Sequence, residues 1–79
     1  MKSLTTEKLC QRYGYGYVGP FVEGLARVRK NGRWFHIKPN GKPAYKRRYD
    51  FVDSFLEGLA WAIKGGQAFY IGPDGTRAK

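Results

Sequence analysis

The sequence is short of the residues that build disulfides and metal sites. In 79 residues it has one cysteine, Cys10, and one histidine, His36. A single cysteine excludes an internal disulfide, and one Cys with one His cannot form a zinc site. We therefore expect neither a metal nor another cofactor.

Long hydrophobic runs are also missing. No apolar segment approaches the ~20 residues that a membrane-spanning helix needs. The first residues, Met-Lys-Ser-Leu-Thr-Thr-Glu-Lys, have no apolar core of the kind found in signal peptides. The sequence therefore predicts a cytoplasmic protein without a membrane partner.

Acidic residues are scarce. Fifteen Lys and Arg stand against six Asp and Glu, a formal charge of +9, and residues 27–48 contain nine basic residues and no acidic one. Such a field favours acidic partners, nucleic acid among them. With 42% hydrophobic and 16% aromatic residues, the composition is that of one small folded domain rather than a disordered tail.

What the chain does have is an internal repeat. Residues 15–45 align without gaps on residues 49–79, and 14 of the 31 pairs are identical. The clearest block is Phe-Val-Glu-Gly-Leu-Ala at 21–26 over Phe-Leu-Glu-Gly-Leu-Ala at 55–60. The repeat length is therefore 34 residues, which indicates a tandem repeat protein.

Turn residues indicate what each unit is. Asn31-Gly32 and Gly65-Gly66 suit two-residue hairpin turns, and Pro39-Asn40-Gly41 and Pro73-Asp74-Gly75 mark a second turn. These turns exclude a pair of long helices. We predict an all-β fold of two tandem three-stranded antiparallel meanders, with the third strand after the second turn. A short N-terminal helix over residues 3–12 completes a single domain, divided into 1–12, 13–48 and 49–79.

The hairpin register predicts two faces in each unit. With Asn31-Gly32 as the loop, alternation places four apolar residues on one side, and the second unit repeats them. We assign these residues to the core: Ala26, Val28, Phe35, Ile37, Ala60, Ala62, Phe69 and Ile71.

The opposite face of the first unit is basic and aromatic. Arg29 lies across from Trp34, which predicts a cation–π contact between them. Cations interleaved with rings are typical of a single-stranded nucleic-acid surface. We favour the simpler interpretation, a solvated cationic face that keeps the domain in solution and protects strand edges, because the spacings of known nucleic-acid modules are absent. The candidate binding surface comprises Arg27, Arg29, Lys30, Arg33, Trp34, His36, Lys38, Lys46, Arg47 and Arg48.

The opposite face of the second unit is apolar. It holds Trp61, Ile63 and Tyr70, a patch that monomers rarely expose together. We predict that this packing or assembly face is covered by the N-terminal helix or by another chain. Open strand edges also tend to pair, which favours a homodimer.

Catalytic groups are not evident. His36 has no Asp or Ser partner in phase, and Asp50, Asp53 and Glu57 lie in the connection between units. Glu23 and Glu57 recur before Gly24 and Gly58, so we expect them to bond backbone amides of the bend. We predict no enzyme activity and no small-molecule substrate.

The pattern Tyr-x-x-Val-x-x-Phe-x-Glu-Gly-Leu-Ala, followed by Asn-Gly-Arg-Trp-Phe-His-Ile, resembles the WG-repeat family over residues 13–79. Phe35 replaces the glycine after the family's tryptophan, and Ala68-Phe69 replaces Trp-Gly in the second unit. The resemblance implies a bacterial β-repeat array without established catalytic residues. Together these observations predict a non-enzymatic module for protein binding or scaffolding. The alternative is a single-stranded nucleic-acid binder that uses the basic surface of residues 27–48.

Overall fold

A computed structural model describes residues 6–78 of the chain. Residues 3–5 of the predicted helix and residue 79 of the second unit lie outside this part. The elements are α1 (Thr6–Tyr13), β1 (Tyr17–Val22), β2 (Leu25–Lys30), β3 (Arg33–Ile37), β4 (Phe51–Val52), β5 (Ala60–Lys64) and β6 (Gln67–Ile71). The predicted all-β class is confirmed, and the described residues contain no helix long and apolar enough to cross a bilayer.

The strands form two antiparallel sheets, β1-β2-β3 and β4-β5-β6. The hairpin of each sheet turns where the sequence predicts, at Asn31-Gly32 and at Gly65-Gly66, and all four residues have positive φ. Two-residue turns of this type match the right-handed twist of the strands. The predicted register is confirmed from Lys30 opposite Arg33 through Ala26 opposite Ile37, and β5 and β6 repeat it.

The third strand of each sheet is not where the sequence predicts it. After the second turn only single bridges form, Ile37 with Pro43 and Ile71 with Arg77. The third strand instead precedes the hairpin, as β1 and β4. It joins the hairpin through Glu23-Gly24 or Glu57-Gly58, turns in which even the glutamate has positive φ.

An edge position explains how β1 contains Gly19-Pro20. Proline has no N–H to donate, so it is tolerated at a sheet edge or at a bulge. The pairing of β1 with β2 is interrupted between Val18 and Phe21, where these two residues sit. The break at Gly19-Pro20 is therefore a bulge in an edge strand and does not end the strand.

The inner faces of both sheets share one core. Every predicted core residue is buried except Phe69, which is half-buried against the others. Six more residues join them from the segments that flank the hairpins: Tyr15, Val18, Tyr45, Tyr49, Val52 and Phe55. Helix α1 contacts β1, and Cys10 and Tyr13 pack on the core from there. The helix is thus not the cover predicted for the apolar face of the second unit.

Candidate functional site

The two units meet along the face of the first unit that the sequence assigns to ligand binding. At the sheet edge, Trp34 and Tyr49 exchange two backbone hydrogen bonds of 2.8 and 2.9 Å. Beside this bridge the Phe51 ring lies 5.5 Å from the Trp34 ring, centroid to centroid. The loop of residues 51–58 in the second unit, which begins with β4, then covers Arg27 and His36.

Glu23 fixes the far end of this interface. Its carboxylate accepts hydrogen bonds from the backbone amides of Glu57 (2.5 Å) and Gly58 (2.9 Å). The expectation that this glutamate bonds turn amides is confirmed, but the amides belong to the next unit rather than to its own turn. The in-phase recurrence of Glu before Gly is the sequence signal for this contact.

His36 lies inside the interface and not on an open surface. It is fully buried, with its ring centroid 4.4 Å from that of Phe55. The Nε2 atom donates to the carbonyl oxygen of Asp53 (2.8 Å), so in the neutral ring Nδ1 accepts a hydrogen bond from the hydroxyl of Tyr45 (2.7 Å). Burial lowers the pKa of His36, and the nearby Arg27 guanidinium adds to this. The assignment of His36 to a ligand-binding surface is therefore wrong, because the second unit covers it.

Arg27 is the cation that contacts the aromatic rings at the interface between the units. Its guanidinium carbon lies 5.3 Å from the Trp34 ring centroid and 5.6 Å from that of Phe51. It also donates to the carbonyl oxygen of Val52 (3.3 Å). Arg29 and Trp34 are directly opposite in the register, but the predicted cation–π contact between them is not observed, and Arg29 is exposed. Directly opposite residues are adjacent in register, but here the diagonal neighbour makes the contact.

A shift of 34 residues places the same face at the open side of the second unit. Tyr70 takes the position of His36, Trp61 that of Arg27, and Glu57 that of Glu23. We call Leu56, Glu57, Leu59, Trp61 and Tyr70 the end face. No described residue covers it: Tyr70 is 51% exposed where His36 is fully buried, and Trp61 is 38% exposed.

The end face is a shallow groove of about 510 Å³, which Asp53 and Ser54 also line. The rings of Trp61 and Tyr70 meet edge to face with centroids 5.0 Å apart. Ile63, the third residue of the predicted assembly face, is half-buried and pairs with Phe51 and Ala68. Two of the three predicted residues therefore stand together on an open face.

The basic residues of the first unit remain largely on the surface. Arg29, Lys30, Arg33, Lys38, Lys46 and Arg47 are exposed. Arg33 is paired with Asp50 at 2.6 Å, and Arg48 is half-buried with its guanidinium 3.8 Å from the centroid of Phe35. Trp34, the ring predicted to stack on bases, is half-buried between Tyr17 and Phe51. The structure thus keeps these cations on the surface but removes His36 and much of Trp34 from it.

The acidic residues between the units serve structural contacts. Asp50 binds Arg33 and accepts from the amide of Gly65, so it links the two hairpin turns. Asp53 accepts from the amide of Ser54 and lies 3.9 Å from Arg27. Within residues 6–78 no three His, Cys, Asp or Glu side chains come together as metal ligands. Glu57 differs from these two aspartates: its carboxylate lies on the end face and makes no hydrogen bond to a described residue.

Comparison with known proteins agrees with the repeat. The family described as "WG containing repeat" matches residues 14–34 and 37–67, more than half of the chain in total. Comparisons with curated proteins and with solved structures give no match. The first segment covers β1, β2 and the start of β3, and the second covers β4, β5 and the first residue of β6. The chain belongs to the WG-containing repeat family.

Proposed function

We propose that this repeat module is a non-catalytic protein-binding module, and that the end face is its binding site. One observation supports this most: the end face repeats, 34 residues later, the surface of the first unit that the loop of residues 51–58 covers. Since the equivalent surface of the first unit binds a polypeptide loop within the chain, the end face is suited to binding a similar loop.

The composition of the end face fits a protein partner. Trp61 and Tyr70 are large, rigid side chains of the type enriched at the centres of protein interfaces. Leu56 and Leu59 extend the apolar area, and Glu57 supplies a charged acceptor at its rim. A partner loop with an aromatic residue two positions before a tight turn would reproduce the way Phe55 and the Glu57-Gly58 turn contact the first unit.

Nucleic-acid binding through the basic surface is the weaker proposal. Single-stranded sites combine cations with ring faces on which bases stack. Here Arg27, Tyr17 and Phe51 surround Trp34, and Arg48 covers Phe35. The cations that remain attract phosphates without offering these rings to bases.

A cyclised peptide with the sequence of residues 50–59 tests the proposal. It carries the loop that the first unit already binds, and a version with Phe55→Ala is its control. We expect the parent peptide to shift the Trp61 indole signal of the protein with a Kd of about 1 mM or below, and the control peptide to bind at least tenfold more weakly.

A mixed-sequence single-stranded RNA, titrated in parallel, tests the alternative. Saturable binding of the RNA that involves Trp34, without binding of the peptide, would overturn the protein-binding proposal. Weak shifts of the surface cations that disappear between about 50 and about 200 mM salt are expected for phosphate attraction alone, and would leave the protein-binding proposal in place.

A further inference from the structure

The two open sides of the molecule are the two halves of its internal interface. On one side of that interface lie Glu23, Arg27 and His36, and on the other lies the loop of residues 51–58. The end face has the first set of positions, 34 residues on. At the opposite side of the molecule, residues 17–24 have the positions of the loop. We call Phe21, Glu23 and Gly24 the start face.

The aromatic residue of the start face is exposed. Phe55 is 2% exposed because it packs on His36, whereas Phe21, at the same position of the first unit, is 37% exposed. At the end face the counterpart of His36 is Tyr70, which is also exposed. The start face therefore presents the counterpart of Phe55, and the end face presents the counterpart of the His36 ring on which Phe55 packs.

The polar groups are complementary in the same way. The amides of Glu57 and Gly58 bind the carboxylate of Glu23, in a turn with φ values of 52° and 82°. The Glu23-Gly24 turn has nearly the same values, 53° and 82°, but its amides have no partner among the described residues. The carboxylate of Glu57 has none either, so donors and acceptor of this charge-assisted contact are both available.

A backbone contact is available as well. The backbone of Ala68, equivalent to Trp34, lacks the bridge that Trp34 makes with Tyr49. Gly19, the counterpart of Asp53, takes no part in the contact, because it is buried against Arg27 and Tyr17 of its own unit.

Charge favours the same arrangement. Residues 13–48 contain nine basic residues and one acidic one, whereas residues 49–79 contain three basic and four acidic ones. The end face itself contributes Glu57 and lies beside Asp53. Contact between unlike units of two copies therefore brings opposite charge together, whereas contact between like units does not.

We propose that the partner of the end face is the start face of a second copy of this chain. This inference rests on the proposed function and names its partner. The Glu57 carboxylate of one copy binds the Glu23 and Gly24 amides of the next, and Phe21 packs against Tyr70. Because the two surfaces differ, the contact is heterologous and head-to-tail, and it forms open rows of copies rather than a closed two-fold dimer.

Two blocked variants test this arrangement. Tyr70→Lys blocks only the end face and Phe21→Lys blocks only the start face, both at exposed positions. Thr76→Lys is the matched control, since it adds the same charge where the first unit already has Lys42. Sedimentation velocity of each protein over a concentration series measures its association state, and circular dichroism checks that each variant is folded.

We expect the parent and Thr76→Lys to form species that grow with concentration, and each blocked variant alone to be monomeric. Mixed in equal amounts, the two blocked variants should form one heterodimer and stop there, because each retains the face that the other has lost. Glu57→Gln, which changes no internal contact, should weaken the parent association at least tenfold.

Two results would overturn the proposal. The first is a parent protein that remains monomeric up to about 1 mM, which corresponds to an association free energy of −4.1 kcal/mol. The second is a Phe21→Lys variant that still dimerises while Tyr70→Lys does not, because that result indicates a closed dimer of two end faces. If the cyclised peptide binds while the parent remains monomeric, protein binding stands and only the second copy is excluded.

Discussion

The carboxylate of Glu23 accepts a hydrogen bond from the backbone amide of Glu57, the glutamate at the same position of the next unit. The contact therefore spans one repeat length of 34 residues. A residue that recurs in phase here connects units instead of stabilising its own turn. In the proposed binding mode, the carboxylate of Glu57 is the corresponding acceptor for the partner.

Replacing Glu23 by glutamine distinguishes the structural role of Glu23 from that of Glu57. The substitution keeps the shape of the side chain but removes the charge that strengthens its hydrogen bonds to Glu57 and Gly58. We expect a loss of about 1 kcal/mol in the free energy of unfolding, since hydrogen bonds to charged groups contribute ~1.5–3 kcal/mol and this one is exposed. Urea unfolding at low protein concentration measures it.

The control for that experiment is Glu57→Gln, which has the same chemistry at the equivalent position. The Glu57 carboxylate makes no hydrogen bond or ion pair with a described residue, so the free energy of unfolding of this variant should remain within about 0.5 kcal/mol of the parent's. Equal losses in the two variants would contradict the role assigned to Glu23.

His36→Leu should destabilise the chain because two groups lose their hydrogen bonds to the imidazole. The hydroxyl of Tyr45 would remain buried without a partner, at a cost of about 1–3 kcal/mol, and the part-buried carbonyl of Asp53 would lose its bond to Nε2. Tyr70→Leu, at the equivalent exposed position, should change stability by less than about 0.5 kcal/mol. Thermal or urea unfolding compares them, and a larger loss for Tyr70→Leu would show that the covered and open faces have been exchanged.

Stability should depend on pH through His36, the only histidine of the sequence. Burial lowers its pKa in the folded state below the ordinary 6.5, so below pH 6.5 the unfolded chain binds the proton more readily. This contribution is complete above pH 6.5 and is lost as the pH falls towards the lower folded value, with a slope of up to about 1.4 kcal/mol per pH unit.

Urea unfolding at about pH 7.5 and about pH 5 measures that slope. His36→Leu should remove it, which separates it from the carboxylates that titrate lower, such as Asp74 with its lowered pKa. A slope that persists in His36→Leu would assign the pH dependence to another group.

Gly75→Ala tests the contact between the ends of the two units. A Cβ at Gly75 would lie 2.4 Å from an atom of the Tyr45 ring, and the residue has a φ of +81°. Gly66 has the same φ with nothing within 4 Å of its Cβ, so Gly66→Ala reports the backbone strain alone, about 1–2 kcal/mol. Gly75→Ala should lose about 1–3 kcal/mol more through overpacking. Equal losses in urea unfolding would mean that Tyr45 does not pack there.

The sequence predicts the local parts of this fold well. Asn31-Gly32 determines the hairpin and its register, because a two-residue turn leaves the strands no freedom to slip. The identities between the units extend the same register to β5 and β6. The predicted position of the third strand is wrong because the turn between β1 and β2 is formed by Glu23, a residue type that rarely adopts positive φ.

The site is less predictable because burial of the outer face depends on the neighbouring unit. Alternation places Arg27 and His36 on a face opposite the core, but only the stacking of residues 51–58 on that face buries His36. The sequence predicts that Trp61 and Tyr70 share the outer face of the second unit and are covered, whereas no described residue covers them and both are exposed. Periodicity within a strand contains no information about which unit is covered.

The two tryptophans provide the most direct test of the account. Trp34 is packed inside the interface between units and Trp61 lies on the end face, so their indole N–H signals report the two surfaces separately. On dilution of the 15N-labelled protein, and on titration with the cyclised peptide, the Trp61 signal should shift while that of Trp34 remains in place. A shift of Trp34 with an unchanged Trp61 would contradict the assignment of the end face as the binding site.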